Sequence, residues 1–169
     1  MALTQEESLA LAELLKKLEW PMDLEVFYAL MRKIVSIPIE LCVLDDQNRV
    51  LTFYRKDAEY DGHHLPGTVL RDNETVPQAL RRLIQSELVG GKVTEPQNIG
   101  WVEILRGNNP TENPTRHEIS LLFLTHLRGT YQGKGGVFSP LYGLPENTLT
   151  HHRLLIDRFR QYLRNRQPE

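Results

Sequence analysis

A mixed sandwich of helices on a β-sheet, α/β or α+β in class and preceded by two helices, is the fold this sequence predicts. Runs rich in β-branched and aliphatic residues alternate in a non-repeating order with stretches whose apolar residues recur at helical spacing. The chain has 169 residues, 40% of them hydrophobic, enough for one domain to bury a core without disulfides. No internal repeat or low-complexity segment interrupts it, so a regular βαβ barrel is not indicated.

The elements follow in order. Thr4 with Glu7 three residues on is a capping box, and Leu11, Leu14, Leu15 and Leu18 continue at helical spacing until Trp20-Pro21. Asp23 caps a second helix whose apolar face is Val26, Phe27, Leu30, Met31 and Ile34. Residues 37–44 and 50–54 read as a β-hairpin around the turn chemistry of Asp45-Asp46-Gln47-Asn48, and 56–64 as a polar loop. Thr75 or Asn73 caps a helix carrying Val76, Leu80, Leu83, Ile84 and Leu88, which Gly90-Gly91 ends. Strands are expected near 99–105, 118–127 and 137–141, with a Pro- and Asn-rich exposed loop between the first two. Leu154, Leu155, Phe159, Tyr162 and Leu163 mark a closing helix whose arginines suit its C-terminal end. Residues 1–35 thus form an N-terminal helical extension packed on the domain of 36–169.

Composition excludes several functions. With 20 Lys and Arg against 22 Asp and Glu, the net charge of −2 gives no electrostatic case for polymeric nucleic acid or an anionic membrane. Cys42 is the single cysteine, which excludes an internal disulfide and a cysteine-based zinc cluster and favours a reducing compartment. No signal peptide or membrane-spanning run is recognisable, and a cytoplasmic protein is expected.

The segment 62–91, GHHLPGTVLRDNETVPQALRRLIQSELVGG, carries the chemistry. Glu87 falls in the same helical sector as Val76, Leu80, Leu83 and Ile84, so a carboxylate sits in an apolar stripe. Either it reaches water at the edge of the stripe, or it meets an arginine, backbone donors or a metal, because desolvating an unpaired carboxylate costs several kcal/mol or raises its pKa.

Leu65-Pro66-Gly67, then Glu74, Arg82 and Glu87, resembles the Nudix box: Gly, five residues, Glu, seven residues, Arg-Glu, an aliphatic, any residue, Glu-Glu, any residue, Gly. On that register Thr68 stands at the box glycine, Leu83 and Ser86 at two of the three helix glutamates, and Val89 at the last glycine. The reduced box is similar to that of the GDP-mannose mannosyl hydrolases, a Nudix subgroup that keeps only the last helix glutamate. Ser36-Ile37-Pro38-Ile39-Glu40 and Leu51-Thr52-Phe53-Tyr54-Arg55, with Arg55 seven residues before Gly62, agree with it.

The resemblance implies an α/β/α sandwich with a mixed sheet, and a single Mg2+ (or Mn2+) held by Glu87, the Gly67 carbonyl and Gln132 against a substrate diphosphate. It implies a small-molecule partner, a nucleotide or nucleotide sugar, hydrolysed at the sugar carbon. Gly133 stands where the subgroup has its catalytic histidine, a type of loss that commonly costs about 10²–10⁴ in rate. His117, at a position where the subgroup also has a histidine, and Glu118 are the candidate catalytic residues. Arg55 is the candidate phosphate contact, and Arg82 is expected to touch substrate or to orient the box loop through Glu74. Each residue also has a plainer reading: a solvated strand-end arginine for Arg55, a solvated helix face for Arg82, a surface strand start for His117. His63-His64 read as loop packing, His126 as structural, and the adjacent His151-His152 as the start of the last helix.

Three functional readings remain open from sequence. The chain is a nucleotide-sugar hydrolase, or a pyrophosphohydrolase attacked at phosphorus, or a catalytically inactive module of this fold that binds a nucleotide or protein. The N-terminal leucines suit a homodimer interface or a cover for the chain's own core.

Overall fold

The computed structural model describes residues 3–57, 60–105, 117–129, 131, 133 and 135–166; Gln132 lies outside them. Helix α1, Gln5–Leu15, starts at Thr4, whose hydroxyl accepts the Glu7 N–H at 3.2 Å while Glu7 accepts the Thr4 N–H at 2.8 Å. Two otherwise orphaned donors are satisfied reciprocally. Helix α2, Leu24–Met31, is capped by Asp23, which accepts from the N–H groups of Glu25 and Val26. It turns Tyr28 and Met31 inward, whereas α1 buries none of its residues and leaves Leu9, Leu11, Leu14 and Leu15 exposed.

Strands β1 (Val35–Ser36), β2 (Pro38–Leu44), β3 (Arg49–Lys56), β4 (Asp61–His64) and β5 (Gly67–Val69) precede helix α3, Val76–Glu87. Strands β6 (Lys92–Val93), β7 (Gln97–Ile104), β8 (His117–Arg128) and β9 (Gly136–Pro140) follow, and α4, Thr150–Arg164, completes the described elements. The spine of the sheet runs β1-β8-β2-β3-β4, with β5 also on β2, β6 and β7 on β8, and β9 on β3. Strand β8 is parallel to β1 and β2 and antiparallel to β7, so the sheet is mixed.

The β2–β3 hairpin forms where turn residues stand: Asp45 accepts the N–H groups of Gln47 and Arg49, and Asn48 takes a positive φ of 56°. The expectation of an irregular loop over 56–64 needs correction. Residues Asp61–His64 form β4, an edge strand paired with β3 from Phe53↔His64 to Lys56↔Asp61. Its Asp-Gly-His-His sequence lacks strand propensity, and the pairing partner dictates the conformation.

Strand β2 is buried along its whole length because both of its faces are covered. Ile39, Leu41 and Val43 point to one core with Ala79, Leu80 and Leu83 of α3. Cys42 and Leu44 point to the other, with Leu155, Ile156 and Phe159 of α4. The result is an α/β/α sandwich, and the alternation puts Glu40 on the α4 side of β2.

Candidate functional site

A cavity of about 400 Å³ opens at the end of the sheet where α2, α3 and α4 approach it. Glu40 from β2, Arg55 from β3, His64 from β4, Gly67 from β5, Glu87 from α3 and Glu118 from β8 all line it, with His151 and His152 from α4.

Glu87, at the end of the α3 stripe, is pushed up to about 7 by burial, against the opposing pull of the Gly67 backbone and the Arg55 charge. Its Oε2 is buried without a hydrogen-bond partner among the described residues. Gly67 lies opposite Glu40 in the β2–β5 ladder, and a Cβ on it would come within 2.7 Å of Glu40 Oε2. Any side chain at this position would require the Glu40 carboxylate to move aside.

Arg55 is held in place before any ligand arrives. Its Nη2 donates to the Tyr28 hydroxyl at 2.8 Å, its Nε to Asp57, and its guanidinium lies 4.7 Å from the Tyr60 ring centroid. Nη1 has no partner among the described residues.

The Leu65 peptide fixes two histidines. Its N–H donates to His152 Nδ1 at 3.2 Å, which makes Nδ1 the acceptor nitrogen and leaves the ring proton on Nε2. Its carbonyl lies 2.7 Å from His64 Nδ1, which must therefore carry the proton, leaving a lone pair on Nε2. Burial holds His64 below the usual histidine range, so it is neutral near pH 7. In this tautomer the 3.7 Å approach of His152 Nδ1 to Glu40 is not an ion pair.

The sequence-derived candidates separate. Glu87, Gly67, Arg55 and Glu118 line the cavity together. Arg82 does not; its donors go to Glu74 at 2.8 and 2.7 Å, to the Thr68 hydroxyl at 2.6 Å and to the Val69 carbonyl at 3.1 Å. It clamps the loop before α3, and its guanidinium holds the Glu74 carboxyl down at about 2. His117 is also off the cavity, with Nε2 3.0 Å from Glu103 Oε1. Period-two alternation along β8 puts it on the opposite face from Glu118. Leu83 is a core residue at 1% exposure, and the Ser86 hydroxyl donates to the Leu83 carbonyl at 3.1 Å.

Sequence reading missed Glu40, His64, His151 and His152 as cavity residues. The signal available for α4 was weak: two histidines on consecutive helical positions, both of which turn out buried. A second cavity of about 280 Å³ shares His64 and Glu87 with the first and adds Phe53, Ser86, Tyr131 and Gly133. A Cβ on Gly133 would overlap the Tyr131 hydroxyl, so a histidine there would have to displace that ring. Among the described residues no three histidine, cysteine or carboxylate side chains converge as a ready-made cation site.

Several solved structures of the same shape are described as Nudix hydrolases. The chain superposes on the MutT Nudix hydrolase from Burkholderia pseudomallei with a TM-score of 0.61 and 19% identity, over 75% of this chain and 98% of that one. A protein from Jonesia denitrificans described as a possible asymmetric diadenosine tetraphosphate hydrolase gives 0.63 and 16%, over 81% and 99%. A chain from the complex between the C-terminal domain of mouse MUTYH and human PCNA gives 0.60 and 12%, over 80% and 94%. No protein-family model and no curated protein matches the sequence. At these identities the likeness establishes the fold: the chain has the Nudix fold.

Proposed function

We propose that this protein is a Nudix-type hydrolase of a nucleoside diphosphate-linked small molecule, a nucleotide sugar in the first instance, working with one divalent cation. The observation that carries the reading is the unpartnered buried oxygen of Glu87 beside Gly67, in a cavity with Arg55. Three glutamates and one arginine line that cavity, so a diphosphate entering alone would meet net repulsion. A cation there would be held by Glu87 and, as the resemblance implies, by the Gly67 carbonyl and Gln132. When bound, Mg2+ or Mn2+ would neutralise phosphate charge and polarise the leaving group. Leu83 and Ser86 at two of the three helix-glutamate positions leave Glu87 as the one helix carboxylate, which suits one ion rather than several.

The chain's own groups supply the rest. Arg55, held by Tyr28 and Tyr60, offers Nη1 to a phosphate oxygen. Glu118, buried at 5% exposure, is the candidate base, and His64 joins it through its Nε2 lone pair. Arg82 acts by keeping the loop of Thr68 and Val69 in place.

The test is turnover of a nucleotide-sugar panel with and without Mg2+ in labelled water, with products identified by mass. Solvent oxygen in the sugar places attack at carbon; solvent oxygen in phosphate places it at phosphorus. Glu87→Gln should abolish metal-dependent turnover, and an unchanged rate would remove Glu87 from the mechanism. The alternative is a non-catalytic module, favoured by Leu83 and Ser86 at carboxylate positions and by the occurrence of the fold in the MUTYH–PCNA complex. Metal-dependent thermal stabilisation without product would establish it.

The exposed leucines of α1 suit a second copy of the chain. Glu6 and Glu7 lie in its first turn and Lys16 and Lys17 follow its end, so an antiparallel pair of α1 helices would match opposite charges beside the leucine contacts. Among the described residues no helix is long and apolar enough to cross a membrane, and the buried free thiol of Cys42 suits the cytoplasm.

A further inference from the structure

The largest of the described cavities, about 630 Å³, lies away from Glu87, between the last turn of α4, the β2–β3 turn and the chain just after β9. Arg49, Arg164 and Arg166 line it with Tyr142, and no carboxylate among the described residues does, in a chain whose net charge is −2. We propose that this groove is a second ligand site, for a nucleoside monophosphate.

The arginines divide by what already occupies them. Arg49 is paired with Asp45 at 2.7 Å, and Arg160, at the rim, with Asp157 at 2.5 Å. Arg160 also donates through Nε to the Leu141 carbonyl at 2.8 Å, which anchors the segment bearing Tyr142. Arg164 has no hydrogen-bond or ion-pair partner among the described residues, and Arg166 uses Nη1 on Gln97 at 2.9 Å with its guanidinium 4.9 Å from the Tyr162 ring centroid. Two guanidinium charges therefore stand over the groove without a counter-ion in it among the described residues, and their planar fork matches phosphate oxygens.

Tyr142 supplies the other half of the recognition. It is 69% exposed, and the Arg160 guanidinium lies 5.0 Å from its ring centroid. A ring held by a cation on one face presents the other to a stacking partner, the mode by which aromatic side chains take nucleobases. Pro140, Leu141 and Leu163 give the groove an apolar floor, and its volume falls in the range of about 300–1,000 Å³ usual for small-ligand sites. Phosphate alone would leave Tyr142 unused, and a nucleoside alone would leave Arg164 unused.

Calorimetric titration of the full chain with AMP, adenosine and inorganic phosphate tests this without any turnover. AMP should bind, adenosine and phosphate at least tenfold more weakly, and the AMP affinity should fall as salt rises. Tyr142→Ala and the double change Arg164→Ala with Arg166→Ala should each weaken AMP at least tenfold while the circular dichroism and thermal midpoint stay as in the parent. Glu87→Gln should leave AMP binding unchanged, which keeps the result separate from the fate of the hydrolase reading. A 5′-phosphorylated tetranucleotide that binds more tightly than AMP assigns the site to a strand end, and AMP binding alone assigns it to the free nucleotide. No AMP binding, binding indifferent to Tyr142 and the two arginines, binding lost in Glu87→Gln, or phosphate binding as tight as AMP would each overturn the proposal.

Discussion

Glu87 links the chemistry to stability. Its carboxyl ordinarily titrates near 4.5 and is raised to about 7 in the fold, so the native state holds the proton more tightly than the unfolded chain. The native state therefore loses stability as pH rises from about 4.5 through about 7, where folded Glu87 ionises inside its cavity. In metal-free buffer Glu87→Gln should be the more stable protein, with a gap that widens between pH 5 and pH 8; a constant gap would show that Glu87 is already ionised at pH 5. A second contrast separates the two missing carboxylate positions. Leu83→Glu should cost several kcal/mol by thermal or urea unfolding, because it places a charge in the core beneath α3. Ser86→Glu, at the rim of the smaller cavity, should stay within about 1 kcal/mol of the parent and tighten metal binding. Glu74, Arg82 and Glu87 were legible because their spacing is local to one loop and helix. Glu40, His64 and His152 were not: the Leu65–His152 bond spans 87 residues, and no periodicity in the sequence records such a meeting.

At the scale of elements, helix starts read well because caps are local: Thr4, Asp23 and Thr75 all start helices, whereas α1 stops at Leu15 and α2 at Met31, short of the apolar spacing that runs on to Leu18 and Ile34. Strand β4 was missed because its reason for existing is β3, against which it pairs four residues. Helix α1 is the element whose energetics are open. Most of the stability of a short helix comes from packing its apolar face, and α1 buries nothing within the chain. If two copies pair through it, size-exclusion chromatography with light scattering should give the mass of a dimer, and Leu11→Asp with Leu14→Asp should return the monomer. A monomeric parent at the highest concentrations would reject the interface.

The whole molecule is a sheet with a core on each face, and β2 contributes to both. Phe159→Ala, on the α4 side, should cost about 3–5 kcal/mol. The loss should appear as a lower midpoint of one cooperative urea transition, since the two cores share a buried strand; two separated transitions would show that the layers unfold independently. The ends of β4 and α4 are also tied by backbone, His63 N–H to the Asn147 carbonyl at 3.0 Å and Leu149 N–H to the His63 carbonyl at 2.9 Å, so the cavity wall belongs to this same unit. The Leu65 peptide gives that unit its own reporter. Because one amide pins His64 and His152 in opposite tautomers, their ring nitrogens should show mirror-image 15N shift patterns in an NMR spectrum. A ligand that rotates this single peptide would rewrite both patterns together, an optical-free gauge of occupancy that requires no label beyond nitrogen.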